Sequence, residues 1–279
     1  MEFLTGVYGL FVREMLKWFR QKVHIVFAFI VPVVWLILFG KSFNLSYLLK
    51  APVGVPEPIR EAVQQAIQQM LLRVFGTLDY FNFFAIGMLN AFALFTSMWS
   101  GMSLVFDRRL GYLERMLAAP VPRASIYLAK VLASVAKGLL QFTVMLILAF
   151  ILGLSLKPGI SPLDILAVYI VMVSLMLALS AIFTATAVKI TSHDVVISIS
   201  NLVNLPLIFT SNAIFPIEQM PDWLKSVATV NPLTHSISLT RYLLLGIGKA
   251  SAMAVHGAYL LAFTVGCVAL GSYIAGKYL

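Results

Sequence analysis

The chain has 279 residues, of which 61% are apolar and only 11% charged, and its mean hydropathy is +0.95. Soluble domains carry about 25% charged residues, so this composition excludes a soluble globular protein. The net charge of +9 is read as excess Lys and Arg in cytoplasmic loops rather than as a nucleic-acid surface.

One bilayer crossing needs about 20 apolar residues. Six runs approach that length: 23–40, 83–106, 131–156, 163–188, 195–215 and 252–276. Runs this long predict a helical bundle and not a barrel, whose strands alternate over about 10 residues. The expected fold is therefore an all-α polytopic membrane protein, one transmembrane domain over 1–279. No short apolar core followed by a small-residue cleavage site marks a cleavable signal near the N-terminus. The one cysteine, Cys267, lies in the last apolar run and excludes an internal disulfide.

Residues 1–22 predict an amphipathic helix. Leu4, Tyr8, Phe11, Met15 and Trp18 recur at helical spacing, and Arg13, Lys17 and Arg20 form a basic stripe. Such a helix is expected in the cytoplasmic interface, aromatic face in lipid and bases near anionic headgroups. The bases here, those of the connection 107–130, Lys189 and Lys277 fall on one side of a six-span arrangement. The positive-inside rule makes that side, with both termini, cytoplasmic. The expected location is the cell (inner or plasma) membrane, in contact with its lipid.

The outer connection 41–82 holds a second amphipathic segment, with Ile59, Val63, Ile67, Met70 and Val74 on one face and Pro58 suited to a first helical turn. It is expected to pack over the outer mouth of the bundle.

The connection 107–130 carries a quarter of all the basic residues between two apolar runs, so it is a water-facing loop. Leu110, Leu113 and Leu117 sit at i, i+3 and i+7, while Asp107, Arg108, Tyr112, Glu114 and Arg115 occupy the remaining surface. Asp107 favours the helix start and Pro120 ends the helix. A short amphipathic helix followed by Pro120-Val121-Pro122 reads as a docking surface for a soluble partner.

Within the third run, Lys137 lies seven residues after Lys130 on the same helix side, with Gln141 one turn on. Two readings fit: snorkelling or bracing of the loop, or contact with an anionic headgroup of the cargo. Small residues spaced by four at Ser174/Ala178, Ala181/Ala185 and Cys267/Gly271/Ala275 allow close helix approach, expected within one bundle. After the fifth run, Pro206, Pro216, Pro221 and Pro232 break an apolar stretch into short pieces. Broken backbone at membrane depth is tolerated only under cover of protein or a water-filled cavity.

Two stretches carry a family resemblance. The first is Asp107, Arg108, Gly111, Tyr112, Leu113, Glu114, Pro120, Val121, Arg123 and Lys130. The second is Pro206, Leu207, Ser211, Phe215, Pro216, Met220, Pro221, Trp223, Leu224, Asn231, Pro232, Leu233 and Arg241. In this order the chain resembles the permeases of type-2 ABC transporters from its second to its sixth span. It departs where Asn212 stands for the usual Gly after Ser211.

The resemblance implies that 107–130 is a cytoplasmic coupling loop and that 216–250 is an outer re-entrant region. The outer gate would include Ser211, Phe215, Pro216, Pro221, Trp223, Asn231 and Pro232. It also implies two permeases, as a homodimer, with two ATPase subunits. No GxxxxGK[ST] motif occurs, since Gly246-Ile247-Gly248-Lys249-Ala250 has neither the spacing nor the hydroxyl. ATP and Mg would therefore be held by a separate ATPase chain, and no cofactor is expected on this one. The coupling set would be Asp107, Arg108, Leu110, Gly111, Tyr112, Leu113, Glu114, Arg115 and Leu117, with the Leu110/Leu113/Leu117 face docked in the ATPase. Asp194 reads either as a second, smaller contact or as a solvated turn.

The implied function is export of an amphipathic drug-like or lipid-like substrate. A lipid-linked polysaccharide is the alternative, disfavoured because no wide polar or aromatic-lined channel pattern is evident. An ion-coupled transporter needs buried acids in the spans, and none is convincing. The four histidines, His24, His193, His235 and His256, are expected to be isolated, on different loops or faces and with no acidic or cysteine partner at ligand spacing, so neither a metal site nor a membrane enzyme is expected.

Overall fold

A computed structural model describes residues 2–42 and 57–279; the first part of the outer connection, 43–56, lies outside the described residues. Among them the chain forms eleven α-helices and no strand. An amphipathic helix α1 (Glu2–Arg20) leads into α2 (Lys22–Ser42), and α3 (Glu57–Phe75) precedes α4 (Tyr80–Arg109). A short α5 (Tyr112–Ala118) separates α4 from α6 (Arg123–Ile151), followed by α7 (Pro162–Ala187) and α8 (His193–Phe209). Two short helices, α9 (Asp222–Thr229) and α10 (Pro232–Leu245), then lead to α11 (Ala250–Tyr278).

Local chemistry sets the ends. The Asp79 side chain accepts from Phe81 N and caps α4. Ser161 and Asp164 form a reciprocal capping box behind Pro162 at the start of α7. Asn231 caps α10 in front of Pro232. Gly111, at φ +71, makes the left-handed corner between α4 and α5.

Five helices, α2, α4, α6, α7 and α11, are long and apolar enough to cross a bilayer. The sixth expected run, 195–215, is different. Its helix α8 has 17 residues, about 25 Å at 1.5 Å per residue and short of the ~30 Å hydrocarbon layer. Pro206 does not break this helix but sits inside it. The chain turns only after Phe209, where Ser211 Oγ donates to Ile208 O and accepts from Ala213 N.

The core is stacked along the bundle in two apolar clusters. One joins the first half of α4 to the second half of α6, α7 and α10. The other joins the end of α4, α5, the start of α6, the end of α7 and α11. Hydroxyls stitch the level between them: Thr184 Oγ1 donates to Ser100 Oγ at 2.9 Å, and Ser180 Oγ to Ser134 Oγ at 3.0 Å. With no water to compete, such bonds satisfy polar groups that apolar packing would strand. The small residues of α7 and α11 face each other inside this bundle. Gly271 lies against Tyr127 and the Ala181 carbonyl, and Thr264 Oγ1 donates to Ser174 O at 3.0 Å.

The helix α3 meets the bundle through its last turns, where Leu71 is buried and Phe75 packs edge to face on Phe83 at 5.3 Å. Ile59 and Met70 of the same helix are each 55% exposed.

Close approach of α4 to α7 depends on Gly101, where an added Cβ would overlap the Phe183 carbonyl oxygen. Gly101→Ala is expected to lower stability by ~1–3 kcal/mol through overpacking. Gly257→Ala on α11, where a Cβ meets nothing within 4 Å, should leave it unchanged. Thermal melting of the solubilised protein followed by size exclusion measures both.

Candidate functional site

The amphipathic α1 turns its one mid-helix acid inward. Glu14 is 3% exposed, and Asp107 near the end of α4 is fully buried. Between them lies Lys130 of α6, 3.0 Å from Glu14 Oε1 and 2.6 Å from Asp107 Oδ2. Arg13 Nη1 donates to Glu14 Oε1 at 3.1 Å and to Asp107 Oδ2 at 3.2 Å, while Lys17 Nζ reaches Asp107 Oδ1 at 2.9 Å. Ser103 Oγ donates to Glu14 Oε2 at 2.9 Å. Three helices are tied by one ionic cluster. Burial pushes the Glu14 carboxyl up, but Lys130, with Lys137 and Lys17, outweighs it and holds the group below its ordinary value.

This geometry pairs Arg13 and Lys17 with a buried carboxylate while their side chains stay 34% and 31% exposed, and it corrects one placement. Asp107 is not on the surface of the coupling loop but beneath it.

The corner itself also divides differently from the expected pattern. Leu113 is 3% exposed and Met116 8%, both packed in the inner apolar cluster. Leu117 is half-buried against that cluster. The apolar face of α5 is thus covered by its own chain and is not a free docking face. Arg108 is used internally as well: its guanidinium donates to Ile190 O at 2.8 Å and to Val188 O, closing the carbonyl end of α7. What faces outward is Leu110, Tyr112, Glu114 and Arg115, with Gly111 half-exposed. Tyr112 lies under two cations, Arg13 at 5.3 Å and Arg115 at 5.7 Å. The α7–α8 turn adjoins this corner, since Phe106 and His193 meet ring to ring at 4.0 Å, and Asp194 is exposed beside them.

A cavity of about 820 Å³ opens between α1, α2, α4 and α6. Lys137 lines it, with its side chain 18% exposed and Nζ 3.9 Å from Glu14 Oε2. Gln141 lies one turn further in, donating to Ala28 O at 2.6 Å and accepting from Thr96 Oγ1.

At the other end, Ser211, Pro216, Asn231 and Pro232 are buried, while Phe215, Pro221 and Trp223 are exposed. Asn231 donates to Leu207 O at 2.7 Å and to Thr210 Oγ1 at 2.9 Å, pinning the start of α10 to the end of α8. Val230 O accepts from Tyr259 Oη at 2.6 Å, so this start lies beside the third turn of α11. Arg241, 3% exposed, donates to Phe83 O at 2.8 Å, Asn212 O at 2.8 Å and Ala213 O at 3.2 Å. It does not pair with Asp222, which is held by Lys225 at 3.4 Å. Two histidines come together here: His235 and His256 have Nδ1 atoms 2.7 Å apart. Among the described residues no third His, Cys, Asp or Glu joins them to form a metal-binding group.

The ABC-2 type transporter family profile matches residues 5–245. The chain is 27% identical over 242 residues to a putative transport permease, ycf38, of Cyanophora paradoxa, covering 86% of this chain and 74% of that protein. The Pyropia yezoensis ycf38 permease is 32% identical over 250 residues, with the same coverage of 86% and 74%. A probable doxorubicin resistance ABC transporter permease protein, DrrC, of Mycobacterium tuberculosis is 24% identical over 235 residues, covering 84% and 75%.

Removing one member of a buried ionic cluster strands the others. Asp107→Asn is expected to cost ~3–5 kcal/mol by leaving Lys130 under-compensated. The Asp107→Asn/Lys130→Met double variant should recover much of that loss. Melting curves of the two variants and the parent decide it; a single variant as stable as the parent would remove the cluster's structural role.

Proposed function

The chain belongs to the ABC-2 type transporter family, and from that premise we propose that it is the membrane-spanning permease subunit of an ATP-driven exporter. It moves an amphipathic, drug-like or lipid-like substrate out of the cytoplasm or inner leaflet. ATP and Mg are held by a separate ATPase, two copies of which join two copies of this chain. The termini and the α4–α5 corner are cytoplasmic, as the distribution of Lys and Arg supports.

The observation that carries this reading is the exposed inner corner. Tyr112, Glu114 and Arg115 stand out on a rigid base, adjacent to Asp194 on the α7–α8 turn. A soluble ATPase pressing there pushes on α5, and α5 is packed through Leu113 and Met116 into the cluster that joins α4, α6 and α7. The relative named as a doxorubicin resistance permease supports a drug-like cargo, and so does a cavity of about 820 Å³, within the range of small-ligand sites. A polysaccharide chain needs a continuous polar passage, and this cavity is mainly apolar in its walls. At the outer side, α9 and α10 form a re-entrant hairpin that closes the pathway. Trp223 and Phe215 lie at its exposed rim, and Arg241 bolts it to α4.

Tyr112→Ala and Glu114→Arg should leave the melting temperature unchanged yet reduce co-purification of the ATPase and transport-coupled hydrolysis by about tenfold or more. Leu113→Ala should behave differently, losing ~2–5 kcal/mol of stability as a core truncation. Full ATPase recovery and full transport with Glu114→Arg would sink this docking assignment.

A further inference from the structure

We infer that the cavity between α1, α2, α4 and α6 is a binding site for an amphiphile bearing one anionic group, with Lys137 as the residue that recognises the anion. The two ends of the cavity differ in chemistry. At the inner end stand Lys17, Lys130 and Lys137 with Glu14. Further in, the walls are aromatic, from Phe27 and Phe29 on α2 and Phe92, Phe95 and Trp99 on α4. A charged end and an aromatic body in one continuous space fit a molecule built the same way.

Charge chooses the sign of the head. Around the inner end, four cations, Arg13, Lys17, Lys130 and Lys137, share two carboxylates, Glu14 and Asp107. Those carboxylates are already occupied. Both oxygens of Asp107 accept from cations. On Glu14, Oε1 is taken by Lys130 and Arg13, and Oε2 by Ser103. Lys137 is left with an ion pair at 3.9 Å, beyond hydrogen-bond reach, and makes no hydrogen bond to the described residues. Its ammonium lines the cavity with donors unused. A second acceptor-rich anion placed there would satisfy them and balance the excess positive charge in a poorly solvated site.

Gln141 marks how far the head can descend. Its amide is spent on Ala28 O and Thr96 Oγ1, so beyond this level the site offers little to a polar group. The head therefore sits at the level of Lys137, two turns inside Lys130, with the apolar body directed toward Phe92. A bilayer lipid headgroup and a soluble amphiphile both supply such an anion, and the chemistry at Lys137 is the same.

This inference deepens the proposed function by naming a substrate class, and only its transport arm rests on that function. The test uses the permease–ATPase complex in phosphatidylcholine nanodiscs and two probes with one body. 1-Anilinonaphthalene-8-sulfonate carries a permanent anion; N-phenyl-1-naphthylamine lacks it. Both accept energy from Trp18 and Trp99, which line the cavity. Saturable, tryptophan-sensitised binding of the sulfonate is expected. Lys137→Met should weaken it about tenfold or more, with Lys137→Arg retaining most of the affinity and the neutral probe unaffected by either change. Equal weakening of both probes would show a merely structural lysine, and unchanged sulfonate affinity in Lys137→Met would place the anion elsewhere; either result overturns the inference. Adding phosphatidylglycerol to the discs separates the sources, since competition at Lys137 assigns a bilayer lipid and its absence a soluble amphiphile. Binding without stimulated hydrolysis or vesicle uptake would count against the export function while leaving the site standing.

Discussion

Everything at the inner face of this protein depends on where Asp107 puts its charge. A carboxylate that leaves water loses several kcal/mol of solvation unless cations and hydrogen bonds replace it. Here Lys130, Arg13 and Lys17 supply the replacement from two other helices. The consequence is positional. The amphipathic helix α1 is tied in place, because Arg13, Glu14 and Lys17 are committed to α4 and α6. With α1 fixed, Arg13 stands over Tyr112, and the α4–α5 corner has a defined shape. Such clusters are poor sources of net stability compared with apolar packing. Their contribution is geometric, since only one arrangement of three helices satisfies every charge.

The outer end solves the opposite problem by different means. There the chain leaves α-helix between Phe209 and Asp222 and again between Thr229 and Pro232, which frees backbone groups from helical pairing. Among the described residues no carboxylate comes within ion-pair distance of Arg241. Its guanidinium instead collects the carbonyls of Phe83, Asn212 and Ala213, and it lies 3.4 Å above the Phe83 ring. Five donors in a planar fork suit a set of diverging carbonyls better than a point-like ammonium. Asn231 does the same service at the foot of α10. Side chains that satisfy loose backbone are what permit broken helices inside a membrane protein.

Much of this was legible in the residues. Long apolar runs and low charge gave the helical membrane bundle, and the charge-dense corner with its prolines gave the family. The burial of particular side chains was not legible. A short amphipathic helix shows that one face must be covered, but its pattern does not say by what. Leu113 and Met116 are covered by the same chain, so the surface left for a partner is the polar face. Asp107 failed for a related reason: it looks solvated until its partner, nearly a hundred positions away, is known. Glu14 was the missed clue, the one acid between Glu2 and Glu57, set within a helix otherwise basic on that side. The run 195–215 reads as one span because hydropathy counts residues, not helical turns, and the chain stops being helical at Phe209.

The two ends together constrain how a push at the inner corner can travel. The bundle between them is close-packed, with glycines at 87 and 101 pressing backbone on backbone, so it has little room to deform locally. The short α5 is packed onto that bundle through Leu113 and Met116, in one cluster with α4 and α6. The side of those helices that is not packed solid is the cavity shared with α1 and α2, and α2 is less buried than α4 or α6. The ionic cluster touches both regions, meeting the corner through Asp107 and the cavity through Lys137. A single group of charges thus holds the exposed corner in place and forms the polar wall of the cavity.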